Sequence, residues 1–328
     1  MVKSLSSLSM NGSGESTVKE TQSETFTPQS RRKRSTSRLA RQLDHWQLTE
    51  TTVLIGTALV VGIGSGFGAV FFRWMIAFFR YLAFEEGKQL LGFLGRYYLI
   101  LIPALGGLIV GPLIYFFARE AKGHGVPEVM EAVALRGGRI RPIVAVIKSL
   151  ASSICIGTGG SVGREGPIVQ IGSALGSTLG QLLHFSDERV RNLVACGAAG
   201  GIAATFNAPI AGALFASEII LGEFTATYFS SVVISSVTAT VISRIFLGDS
   251  PAFKVPPYSI VSPGELGLYA ILGILASFVA VLFVLTLYKA EDIFDVWKFP
   301  EYLKPAAGGL LIGLLGLYFP QIFGVGYE

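Results

Sequence analysis

Charge is scarce in this chain. Only 15% of its 328 residues are Asp, Glu, Lys or Arg, while 51% are hydrophobic. That balance excludes an ordinary soluble domain and points to a polytopic helical membrane protein. Cysteine is nearly absent. Cys155 and Cys196 both lie in apolar segments, form no disulfide framework or metal spacing, and read as buried free thiols. The three histidines, His45, His124 and His184, are scattered, with no H-x-x-x-H pair to hold a metal. No nucleophile–base pair and no G-K-[ST] phosphate loop occurs. The glycines Gly157 and Gly159 are followed by Val162 where a dinucleotide fingerprint needs glycine. Enzymatic chemistry, a metal and a bound cofactor are therefore not expected. Alternating ten-residue apolar segments are missing too, which argues against a membrane β-barrel.

What is plentiful is apolar sequence and glycine, with 40 glycines in all. Apolar runs recur near 53–72, 98–118, 142–156, 193–222, 226–247, 265–287 and 303–319. Several reach the roughly 20 residues that a spanning helix needs. Others are short or interrupted by Gly and Pro, as in helices that stop within the membrane. The expected fold is all-α and polytopic, with tilted and broken helices. Residues 1–44 differ from the rest: they are polar and Ser/Thr-rich, lack the apolar region of a signal peptide, and read as a disordered tail. Within residues 1–41, eight Lys/Arg stand against three Glu, a net +5 that exceeds the whole chain's +4. The membrane part is thus close to neutral, and no nucleic-acid partner follows from the basic balance. The R-R-K-R run at 31–34, placed before a first membrane segment, predicts a cytoplasmic N-terminus.

The chain repeats itself. Gly62-Ile63, Phe67, Ala69-Val70 and Phe72 recur as Gly273-Ile274, Phe278, Ala280-Val281 and Phe283. P-A-L-G-G-L-I-V-G at 103–111 recurs as P-A-A-G-G-L-L-I-G at 305–313, and Gly123 and Gly125 recur as Gly324 and Gly326. Internal repeats mark many transporter folds, with the site at the junction of the halves. The layout expected is a basic tail at 1–44, a first repeat at 45–250, a Pro-rich loop at 251–263 and the start of an incomplete second repeat at 264–328.

Three segments carry chemistry: G-H-G-V-P-E-V at 123–129, G-T-G-G-S-V-G-R-E-G-P at 157–167, and G-G-I-A-A-T-F-N-A-P-I-A-G-A-L-F at 200–215. The first two set flexible glycine backbone just before a helix start inside the membrane. Unpaired N–H groups and the positive end of the helix dipole then face the same space. Such a place binds anions without a fixed full charge. Weak binding suits conduction, because the ion must also leave. Glu165 lies in this stretch, and an ionisable group within a membrane segment marks a transport path. The plainer reading is a first-turn acid that only caps amides.

These motifs, in this order, resemble the CLC family of chloride channels and anion/proton antiporters over about 50–328. The matching residues are Gly123–Pro127, Gly163–Pro167 and the Phe206–Glu218 stretch around Asn207-Ala208-Pro209. The resemblance implies an inverted-repeat fold and an anion site built from Gly123, His124, Gly125, Val126, Pro127, Gly163, Arg164, Glu165, Gly166 and Pro167. It implies that Glu165 is the gate, its carboxylate standing in for chloride until protonation frees it. It also implies a homodimer in a lipid bilayer, with one pathway per subunit and chloride or a similar small anion as the ligand. The chain departs from the family at three places. His124 stands where many members have an anion-coordinating serine, so the imidazole either enters the site or points away. Ile219 occupies the antiporters' internal proton-relay position, with Glu218 one residue earlier as a possible internal acid. The family's later pore phenylalanine and tyrosine motifs lie beyond residue 328. The expected activity is passive, voltage-gated-type chloride conduction. The alternatives are chloride/proton antiport and, from another class, a truncated non-conducting assembly or regulatory subunit.

Overall fold

The computed structural model describes residues 50–249, 257, 259 and 262–326. The expected tail at 1–44 and most of the Pro-rich loop at 251–263 lie outside the described residues. Among the described residues every regular element is helical. In chain order the principal helices are α1 (Glu50–Arg80), α2 (Tyr98–Phe117), α3 (Val126–Leu135), α4 (Pro142–Gly157) and α5 (Glu165–Leu182). They are followed by α6 (Asp187–Phe206), α7 (Pro209–Phe215), α8 (Ala226–Leu247), α9 (Glu265–Val296) and α10 (Lys304–Gly316). Three stretches, Thr51–Phe117, Tyr228–Leu247 and Glu265–Val296, carry helix long and apolar enough to cross a membrane.

Local chemistry sets the boundaries. Proline opens α4 at Pro142 and α7 at Pro209, and follows the first residue of α3 and α10 at Pro127 and Pro305. It fits there because a helix's first N–H groups have no partner within the helix. The apolar run at 193–222 is not one helix. Asn207, with φ of +57°, ends α6 in the left-handed conformation that asparagine tolerates, and the chain restarts at Pro209. Helix α1 continues past the apolar run at 53–72 as far as Arg80. Arg73 and Arg80 there flank Trp74, Phe78 and Phe79, a composition suited to a membrane–water boundary.

The helices pack through small residues. Gly172 on α5 and Gly197 on α6 each lie so close to the other's carbonyl that neither has room for a Cβ. Gly176 meets the Leu193 carbonyl in the same way. Hydroxyls tie α8 to α6: Ser235 donates to the Cys196 carbonyl at 2.8 Å and Ser243 to the Ala204 carbonyl at 2.6 Å. In a membrane, where lipid is as apolar as leucine, close backbone approach and such hydroxyl bonds hold helices together. Cys196 is buried as expected, whereas Cys155 is only half-buried; both are free thiols.

The sequence repeat becomes a packing symmetry between α2 and α10. Gly107 sits against the Pro305 carbonyl, and Gly309, its counterpart, sits against the Pro103 carbonyl, the counterpart of Pro305. Gly111 meets the Tyr302 carbonyl while Gly313 meets Ile100. As the position rises on one helix it falls on the other, so the two copies run antiparallel and exchange equivalent contacts. That is inverted-repeat geometry. We predict that Gly107→Leu, which must displace the Pro305 backbone, destabilises the protein by about 3 kcal/mol, the upper end for overpacking. Gly56→Leu, with nothing within 4 Å of its Cβ position, leaves stability near the parent's. Thermal unfolding in detergent checks both.

Candidate functional site

The two glycine motifs meet. Gly125 lies so close to the Gly166 backbone, and Gly166 to the His124 carbonyl, that a Cβ on either glycine would collide. Gly123 (φ +110°) and Gly125 (φ +97°) also hold backbone conformations that side chains disfavour. Both conditions demand glycine, and together they bring the starts of α3 and α5 to a shared cavity of about 390 Å³. Gly123, His124, Gly163, Glu165, Gly166 and Pro167 line it. Val126 and Pro127 do not line it: Val126 packs into the main apolar core, and both begin α3.

Glu165 is the first residue of α5 and is half-buried. Its carboxylate folds back over Gly163, leaving no room for a side chain there. A carboxylate thus stands at the positive end of a helix dipole, where negative charge is favoured. Arg164 turns the other way. It lines a second cavity of about 720 Å³ with Arg73 and Arg80, and its guanidinium lies 5.8 Å from the Phe206 ring of the third motif. The start of α5 therefore stands between two cavities, with Glu165 facing one and Arg164 the other.

A buried lysine supports this arrangement. Lys148 on α4 is 4% exposed, and its ammonium donates to the carbonyls of Ala121 at 3.0 Å and Gly123 at 2.9 Å. It therefore holds the loop that carries Gly123–Gly125. Glu128 holds the loop from the other side, its carboxylate accepting from the Gly125 N–H at 2.6 Å. Lys148 also lines the Glu165 cavity, so it supplies a positive charge there. Lys148 lies outside all three sequence motifs. The signal was present, since a lone lysine in the apolar run at 142–156 is an ionisable group within a membrane segment.

His124 contributes backbone to the Gly166 contact, while its imidazole reaches away. Nε2 lies 3.6 Å from a carboxylate oxygen of Glu291 on α9, and both side chains are about half exposed. Glu218 and Ile219 lie in a wide helical turn, Ala216–Leu221, that continues α7. Both are exposed, with Ser217 and Ile220 buried beside them. Glu218, the possible internal acid, is thus exposed among the described residues.

Comparison with known proteins fits this geometry. A family profile described as voltage gated chloride channel matches residues 106–328. A putative chloride channel protein, ClcB-like, from Ralstonia nicotianae is 36% identical over 233 residues, covering 70% of this chain and 54% of that protein. Chloride channel protein CLC-e of Arabidopsis thaliana is 32% identical over 294 residues, covering 84% and 41%. The H(+)/Cl(-) exchange transporter ClcA of Vibrio cholerae is 33% identical over 285 residues, covering 82% and 59%. The chain spans about half the length of these curated relatives. Among solved structures, a slow cyanobacterial Cl-/H+ antiporter superposes with a TM-score of 0.73 at 27% identity, covering 86% of this chain and 67% of the other. A eukaryotic CLC transporter shares the fold, with a TM-score of 0.68 at 20% identity. With its motifs, its inverted packing and these matches agreeing, the chain belongs to the CLC, or voltage gated chloride channel, family.

Proposed function

We propose that the protein moves chloride or a similar small anion across a lipid bilayer, and does so in exchange for protons, with Glu165 as the gate. The observation that carries this reading is the carboxylate of Glu165 at the start of α5. It lies over Gly163, inside a cavity shared with Gly123, His124 and the buried ammonium of Lys148. A carboxylate in an anion's place competes with the anion when ionised and yields the place when protonated. That property couples the two ions. Exchange is supported further by the likeness to the Vibrio exchange transporter and the cyanobacterial antiporter. Passive conduction remains the second reading, and Ile219 favours it, because isoleucine carries no proton. A non-conducting assembly subunit is the reading from another class. The reading also places the N-terminal tail in the cytoplasm and the protein in a homodimer.

The test is flux from liposomes that contain the purified protein, with chloride and protons followed together. Exchange predicts that outward chloride flow drives protons inward in fixed proportion. A channel passes chloride with no proton movement. The absence of both fluxes sinks the transport reading.

A further inference from the structure

An exchanger needs a group that delivers protons to Glu165, and Ile219 cannot do it. We propose that His124 and Glu291 form that proton-accepting pair; this rests on the exchange reading above. His124 lines the Glu165 cavity, and its backbone touches Gly166, the residue after Glu165. Its imidazole stands 3.6 Å from the Glu291 carboxylate, which comes from the second repeat. Imidazole is the side chain whose charge ordinarily changes between pH 5 and 8, and beside a carboxylate it makes a pair that holds or releases one proton.

The other charged groups around it are committed elsewhere. Lys122, two residues before His124, pairs with Asp295 of α9 at 3.3 Å and Glu301 at 3.6 Å. On α3, Glu128 accepts from the Gly125 N–H. From α4, Lys148 is bound to two carbonyls. Lys304 of α10 donates to the carbonyls of Phe294 and Asp295. Glu165 of α5 lines the same cavity as His124. The His124–Glu291 pair joins a residue of the cavity wall to a half-exposed carboxylate outside it. The step balances without a co-reactant. A hydrated proton adds to the pair, leaves it by way of water, and arrives on the Glu165 carboxylate, which returns the pair to its starting state.

The experiment compares proton and chloride flux in liposomes for the parent protein, Glu291→Gln, Glu291→Asp and His124→Ala. The proton-to-chloride ratio is expected to fall about tenfold or more in Glu291→Gln and His124→Ala, a modest share of what one proton-transfer group contributes. Glu291→Asp keeps a carboxylate and is expected to keep most of the ratio. An unchanged ratio in Glu291→Gln and His124→Ala overturns the proposal while leaving exchange intact. So does a parallel loss of both fluxes, or an equal fall in Glu291→Asp, either of which points to a structural contact. A parent that passes chloride without protons overturns exchange itself and the proposal with it.

Discussion

Glu165→Gln is expected to abolish the pH response of chloride flux and to lower proton movement about a hundredfold, the scale of removing one proton-transfer group. The cause is where the carboxylate lies. Ionised, it is held at the start of α5, over Gly163, and blocks the place a permeant anion would take. Protonated, it loses the charge that holds it there. Flux through the parent protein should therefore rise as pH falls. Glutamine has the same shape but stays neutral at every pH, so the dipole end no longer holds it against a competing anion. Chloride then passes at a rate that no longer depends on pH, and protons do not accompany it. Flux measured from acidic to neutral pH checks this directly. A variant with the parent's pH slope would reduce Glu165 to an acid that only caps amides.

The first level of this fold was legible in the sequence for simple reasons. Apolar runs gave helices in the right places, because a membrane helix satisfies its own backbone and needs only apolar length. Glycine motifs placed the starts of α3 and α5 correctly, since Gly125 and Gly166 tolerate no side chain where the two backbones touch. The repeat of P-A-L-G-G as P-A-A-G-G foretold equivalence, and the exchange of contacts between Pro103–Gly309 and Pro305–Gly107 gave it a geometry. What escaped were features set by tertiary partners. The break at Asn207, by contrast, was legible, because N-A-P within the motif at 200–215 ends one helix and starts another. Arg73 ends the apolar run but not the helix, which continues to Arg80 with Arg73 on the wall of the larger cavity. The imidazole of His124 left two orientations open from sequence. Its partner Glu291 is 167 positions away and is reached only once the second repeat lies antiparallel to the first.

Lys148→Met is expected to weaken chloride binding about thirtyfold and to destabilise the protein by about 2 kcal/mol. Methionine fills similar volume but donates nothing. The carbonyls of Ala121, buried, and Gly123, partly buried, then lose their Nζ–H partner, and a buried polar group left without its partner costs roughly 1–3 kcal/mol. The charge goes too. A chloride held about 8 Å from an ammonium gains about 2 kcal/mol at an effective dielectric near 20, and that energy is a factor of about 30 in affinity. The two effects separate in Lys148→Arg, which keeps the charge while its planar donors fit the two carbonyls poorly. If Lys148 acts mainly through its field, Lys148→Arg keeps chloride affinity near the parent's and loses only stability. If it acts mainly by holding the Gly123–Gly125 loop, both variants lose affinity together, because the Gly125–Gly166 contact that shapes the cavity is no longer maintained. Calorimetric chloride titration, paired with thermal unfolding of the same samples, distinguishes these outcomes. Parent-like values in Lys148→Met on both measures would remove the lysine from the site.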